Sequence, residues 1–345
     1  MTALGLLLAL LAWPFLDTLA SLMGAQGPVR ASAVTYLRIR FVAAPAVLVT
    51  IVAFGALRGL QDMRTPFWIA VTVNVVNVVL DAALIFGVGP VPALGVAGAA
   101  WATTAAQIVG AAWAVAAVWR ALGPFTRVRA RAMLELFVVG RDLVLRTGLL
   151  LAFILLATRS ATQAGAEPAA ANQAVRQVWT LTALLLDAFA ATTQTLVGFF
   201  LGAGQRALAR RAALVGCQWG VAAGLVLTAA MLAATQPIAW LLVPPEARAV
   251  FPAAWTVAAL AQPLNALSFI TDGAHWGTGD FRYLRNGMLA ATLAGALLLA
   301  SVDVGAPGAL VAIWTVTVAW TVVRASFGVL RIWPGIGDAP LGGRG

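Results

Sequence analysis

The sequence predicts an all-α polytopic membrane protein with about ten transmembrane helices in two parallel, pseudo-symmetric bundles, four helices followed by six. Three observations lead there: the hydropathy, the placement of the arginines, and a loop that occurs twice. Of 345 residues, 62% are hydrophobic and 10% charged, and the mean hydropathy is +0.93. A water-soluble domain has no use for so much apolar surface, whereas uncharged runs of roughly 20 residues match a hydrocarbon core of ~30 Å. A net charge of +10 would suggest nucleic acid in a soluble chain. Here every basic residue is an arginine and most lie between apolar runs, which points to membrane topology and away from nucleic acid.

The apolar runs place spans near 3–23, 41–57, 67–87, 94–119, 143–158, 172–200, 212–234, 250–271, 284–303 and 307–330. Glycine and proline mark the breaks: Pro66 opens the third span, Gly87 to Pro92 closes it, and Gly305 to Pro307 separates the last two. Fourteen of the 22 arginines, among them Arg58, Arg64, Arg120, Arg206, Arg282 and Arg331, fall on one side of this topology. The positive-inside rule makes that side cytoplasmic, and an even number of spans puts both termini there. The single cysteine, Cys217, lies in an apolar run and cannot form an internal disulfide.

The stretch Gly55 to Phe67, GALRGLQDMRTPF, interrupts two apolar runs and recurs. At a shift of 218 residues Gly55, Gly59, Asp62 and Arg64 fall on Gly273, Gly277, Asp280 and Arg282. Gly95-Val-Ala-Gly98 and Gly305-Ala-Pro-Gly308 form a second echo. Six spans separate the two copies, so the repeats share one orientation, as in one class of transporter. The resulting division is an N-terminal lobe at 1–120, a cytoplasmic linker at 121–141, a C-terminal lobe at 142–330 and a cytoplasmic tail at 331–345. The second repeat has six spans and the first only four, so the arithmetic places about two further spans ahead of Met1. The repeated stretch reads as a rigid cytoplasmic elbow. Gly55 and Gly59 offer a small face for a neighbouring helix, Asp62 has arginines in reach, and Thr65 and Pro66 suit a helix start.

These motifs resemble the multidrug and toxin extrusion (MATE) family: Tyr36-Leu-Arg-Ile-Arg, the elbow itself, Asn74-x-x-Asn77-x-x-x-Asp81, and Gly95-x-x-Gly98-Ala-Ala-Trp-Ala-Thr103. The segment LLLDAFAATTQTLVGFFLGAG at 184–204 is similar to the family's DinF-like branch. The resemblance runs from the family's third helix to its twelfth. It implies two six-helix lobes around a central cavity and a monomeric secondary transporter of the cell membrane. Such a protein expels organic, often cationic, compounds against an inward flow of protons or sodium ions, without a cofactor. The family's coupling aspartate in its first helix has no counterpart here.

Ionisable groups within the membrane are costly and are functional candidates by default. Asn77 and Asp81 lie one turn apart on one helix face, and a membrane-embedded carboxylate favours its neutral form, which would let Asp81 take up and release a proton. Thr103 and Thr104 on the next span could donate to it. Asn77, Asp81 and Thr103 are also the residues the resemblance assigns to cation coupling. Asp187, Gln194 and Arg176 are candidates for the cavity of the second lobe, with Asp187 a counter-ion for a cationic substrate, a second titrating site, or the partner of an arginine that locks helices. Asp17, Asp303 and Arg324 stand near span ends and are expected to snorkel or face water, and His275, in the second elbow, is expected at the surface. Gln107, Gln173, Gln218, Gln262 and Asn265 are expected to bond between helices.

Enzyme chemistry finds no support: one His and one Cys make neither a metal cluster nor a nucleophile pair, and no G-x-S-x-G motif is present. Two other readings remain. A lipid-linked oligosaccharide flippase of the same broad superfamily would need several cavity arginines, for which Arg146 and Arg176 are placed. A shortened membrane protein that does not transport is the other.

Overall fold

The computed structural model describes residues 2–22, 27–88, 92–123 and 130–342, and they are helical almost throughout. The chain divides into two compact units, Met1–Arg127 and Val128–Gly345. The first holds α1 (Thr2–Ala12), α2 (Leu16–Leu22), α3 (Gly27–Val42), α4 (Ala44–Gly59), α5 (Arg64–Phe86) and α6 (Gly95–Leu122). The second holds α7 (Ala130–Gln163), α8 (Ala166–Gly202), α9 (Arg206–Ala233), α10 (Thr235–Leu242), α11 (Phe251–Leu260), α12 (Gln262–Thr278), α13 (Phe281–Ala300) and α14 (Ala309–Ile332).

Among the described residues six helices are long and apolar enough to cross a membrane, and two bent pairs raise the number to eight. The two other expected spans correspond to α7 and to the short α1 and α2, which a turn at Trp13–Phe15 separates. The bent pairs are α3 with α4 and α11 with α12, so the span expected at 41–57 is the second half of a longer broken one and that expected at 250–271 is itself broken. They turn by 47° and 45° at Ala43 and Ala261, which are themselves 218 residues apart. Pro45 and Pro263 begin the second half of each pair, and a proline ring removes the i→i−4 hydrogen bond and crowds the preceding turn. The repeat therefore extends over a whole broken span.

The elbows repeat bond for bond. Asp62 N donates to Leu57 O and Gln61 N to Arg58 O, while Asp280 N donates to His275 O and Gly279 N to Trp276 O, all at the same shift. Gln61 and Gly279 both adopt the left-handed backbone, with φ of 63° and 76°. A bulky or β-branched residue is disfavoured there, so Gly279→Val is expected to destabilise the second unit by about 1–2 kcal/mol, read as a lower thermal midpoint in detergent. The elbows differ in what their aspartates hold. Asp62 Oδ1 accepts from the N–H groups of Arg64 and Thr65 at 3.1 and 3.0 Å and so caps α5; among the described residues it forms no ion pair, contrary to the sequence expectation, and the cap belongs to Asp62, not Thr65. Thr65, through its hydroxyl and N–H, and the N–H of Arg64 hold the Asp62 carboxyl below the usual carboxylate range. A depressed carboxyl stabilises the fold above its unfolded pKa, and that contribution is lost as pH falls through the folded one. Asp280 instead accepts from Arg331 Nε at 2.7 Å.

The elbow glycines also diverge. A Cβ on Gly273 would lie 2.4 Å from Ala190 O, and one on Gly277 2.5 Å from Gln194 O, so α12 lies directly against α8. Gly55 and Gly59 have open space around them, so the close packing expected at both copies is present only at the second. Gly277→Leu is accordingly expected to cost about 1–3 kcal/mol or more by overpacking, and Gly59→Leu far less, in thermal unfolding of the two variants.

Two expected boundaries change. Residues 124–129 of the 121–141 linker lie outside the described residues, and from Ala130 onward α7 runs through the rest as helix. The expected tail is packed over its described residues, 331–342: α14 reaches Ile332, Arg210 Nη2 donates to Trp333 O, and Leu341 is buried.

Candidate functional site

In the first unit α5 and α6 pack against each other and bring the predicted coupling residues together. Asn77 Nδ2 donates to Thr103 Oγ1 at 3.2 Å, and Thr103 Oγ1 in turn donates to Ala99 O one turn back. Asp81 sits one turn beyond Asn77 on α5, and its Oδ1 is buried with no hydrogen-bond partner. A buried acceptor without a donor costs about 1–3 kcal/mol, so this oxygen is an unsatisfied group within the span. Neither threonine donates to Asp81 as anticipated: Thr104 Oγ1 donates to Ile39 O and accepts from Arg40, while Asn74 Nδ2 donates to Ala70 O.

In the second unit the three cavity candidates lie along α8 but do not converge. Arg176 is about 16 Å from Asp187 and Gln194 a further 10 Å or so on, at 1.5 Å per helical residue. Asp187 is exposed and has no ion pair among the described residues, so it is not the partner of Arg176. Gln194 is half-buried where α8 meets Gly277. Arg176 Nη1 donates to Thr158 Oγ1 on α7, beside a cavity of about 50 Å³ between α7, α8 and α14.

The strongest electrostatic feature is one the sequence reading missed. Asp272 on α12 receives, on a single Oδ2, Arg146 Nη2 from α7 at 2.5 Å and Arg324 Nη2 from α14 at 2.8 Å. Arg324 is 4% exposed and stacks 4.5 Å over the Trp320 ring, which corrects its expected placement in water. His275 is likewise buried, at 2% exposure, with Nε2 3.2 Å from Gly328 O, so it is not a surface residue. Along α12 toward its start lie Gln262, Asn265 and Ser268, all buried; among the described residues Asn265 has no partner for either amide atom, and none of the five expected amides makes an interhelical side-chain bond. The sequence hid Asp272 because its surroundings, TDGAHWGTG, have the composition of a loop. The apolar run gives out at residue 271, while α12 continues to Thr278.

A repeated arrangement of broken and continuous apolar helices, with an unpartnered carboxylate oxygen in one unit and a buried ion cluster in the other, is the architecture of a polytopic membrane protein. The MatE family model matches residues 1–83 and 144–307. The chain belongs to the MATE family. It is 32% identical over 317 residues to Protein DETOXIFICATION 44, chloroplastic, of Arabidopsis thaliana, covering 89% of this chain and 58% of that protein. With DNA damage-inducible protein F of Escherichia coli (strain K12) it shares 31% identity over 206 residues, 58% of this chain and 44% of that one. The chain thus spans about half the length of these relatives. A crystal structure of MATE in the bent conformation shares the fold, with a TM-score of 0.84 at 21% identity over 95% of this chain and 74% of the other.

Proposed function

We propose that this chain exports organic compounds as a cation-coupled antiporter, alternating the access of its two helical units, with protons or sodium ions flowing inward. The observation that carries the reading is the buried, unpartnered Asp81 Oδ1 one turn from the Asn77–Thr103 bond. A bound coupling cation would supply the partner that this oxygen lacks. Export of cationic compounds, as in the expectation from sequence, draws support from Asp187, exposed on α8. The arginine distribution supports a cell-membrane orientation with both termini cytoplasmic, and the transporter is proposed to act as a monomer without a cofactor. The flippase reading loses one of its two arginines, since Arg146 is engaged by Asp272.

The test uses this chain, purified and reconstituted, in liposomes loaded with a fluorescent cationic dye. Dye movement driven by an imposed proton gradient, or by a sodium gradient, would support the reading and name the ion. Movement indifferent to both gradients would reject coupling, and absence of movement in correctly inserted protein would favour the non-transporting reading.

A further inference from the structure

The buried ion cluster of the second unit does not balance its charge. Arg146 and Arg324 share the one carboxylate of Asp272, so two guanidinium groups meet a single counter-charge. Arg146 is half-buried, which lets water reach it and screen it, whereas Arg324 is buried and feels the surplus in full. Arg324 gives Nη2 to Asp272, and its Nε and Nη1 are buried without a partner. The Trp320 ring, 4.5 Å away, covers a face of the guanidinium and leaves these edge donors unanswered. The unit's other paired acids are engaged elsewhere, Asp280 by Arg331 and Asp142 by Arg141 and Arg285.

Arg324 also lines a cavity of about 10 Å³ between α12, α13 and α14. Leu284, Met288 and Phe327 form its apolar wall. Its remaining polar groups already have partners: Asp272 holds the two arginines, His275 Nε2 lies 3.2 Å from Gly328 O, and the Tyr283 hydroxyl donates to Phe327 O at 3.0 Å. At ~10–15 Å³ for a water, that volume holds one particle of about this size. A water would give Arg324 an acceptor and leave the surplus charge in a low-dielectric interior; a monovalent anion removes both costs.

We infer that this cavity binds a small inorganic anion of chloride size on an unpartnered guanidinium N–H of Arg324, as a structural counter-ion of the second unit. The contact is a charge-assisted hydrogen bond, with the apolar wall excluding water around it. The site is distinct from Asp81 and from the Arg176 cavity, and it stands whether or not the chain exports organic compounds.

The test uses the full purified chain in detergent, with the thermal midpoint read in the chloride, bromide and gluconate salts of sodium at equal ionic strength. Chloride and bromide are expected to raise the midpoint saturably, by about 3–6 °C once chloride stands at about ten times its dissociation constant; gluconate, too large for the cavity, is not. The protein is also expected to broaden the magnetic resonance line of chloride, and bromide to reverse that broadening. Arg324→Met removes the donor and the surplus charge together and should abolish both signals. Should it fold poorly, Met288→Glu sets a carboxylate on the cavity wall, supplies the counter-charge from within, and is expected to lose the chloride response in the same way. Equal midpoints in chloride and gluconate would mean that water alone fills the cavity and would overturn the assignment. A rise that never saturates, or a chloride response retained by folded Arg324→Met or Met288→Glu, would overturn it too.

Discussion

Asp272→Ala is expected to cost about 3–5 kcal/mol, because it leaves two guanidinium groups in the interior of the second unit without their shared counter-charge. At the thermal midpoint of a unit of this size that corresponds to a fall of about 6–20 °C, measurable by unfolding in detergent. The neighbours cannot absorb the loss. Arg324 Nε and Nη1 and Arg146 Nε already lack partners, and each guanidinium faces an aromatic ring, Trp320 and Trp276 respectively, which offers only a weak substitute. Arg324→Met should cost less than Asp272→Ala, since it leaves a single pair between Arg146 and Asp272. A midpoint unchanged in Asp272→Ala would mean that the two arginines do not depend on this carboxylate. The ratio of the two variants also separates a structural clamp from a titrating site: a clamp loses stability in both, while a coupling acid loses transport at full stability.

Asp81→Asn is expected to show that second pattern. The amide keeps the shape of the side chain and removes its charge, so the thermal midpoint should stay within about 2 °C while gradient-driven efflux falls at least tenfold. Gradient-independent exchange of dye across the liposome should persist, because the bundle itself is intact. Thr103→Val is the graded companion. It removes the acceptor of Asn77 Nδ2, 3.2 Å away, and should slow coupled efflux by a smaller factor at a cost of about 1–3 kcal/mol for the orphaned donor. Wild-type rates in Asp81→Asn would move the coupling group elsewhere, and Asp187, exposed on α8, would be the next to substitute.

Much of this was legible in the sequence for reasons that are local. A span advertises itself by composition, since the bilayer requires about 20 apolar residues in a row. The elbow announced itself because a tight turn between helices needs particular residues, and the same residues recur at Asp62 and Asp280. The Asn77 and Asp81 pair was visible because four residues are one helical turn, and Thr103 joined it across the adjacent helix. The bends at Ala43 and Ala261 had a signal too, an Ala-x-Pro at 43–45 and again at 261–263, overlooked because hydropathy does not change across a kink.

By itself, then, the sequence determined that the chain spans a membrane, that it contains a repeat, and which acid of the first unit stands one helical turn from Asn77. What only the tertiary structure decided depends on contacts between residues far apart in the chain. Asp272 meets Arg146 and Arg324 across 126 and 52 positions, so no spacing rule could pair them. Gly273 and Gly277 lie against α8 while Gly55 and Gly59, identical in motif, lie open, because a small residue offers an approach and a neighbouring helix has to take it. Arg176 and Asp187, three turns apart on one helix, were separated in the same way. One borders an aromatic pocket and the other faces outward, and that environment, not the residue type, sets which charge each can receive.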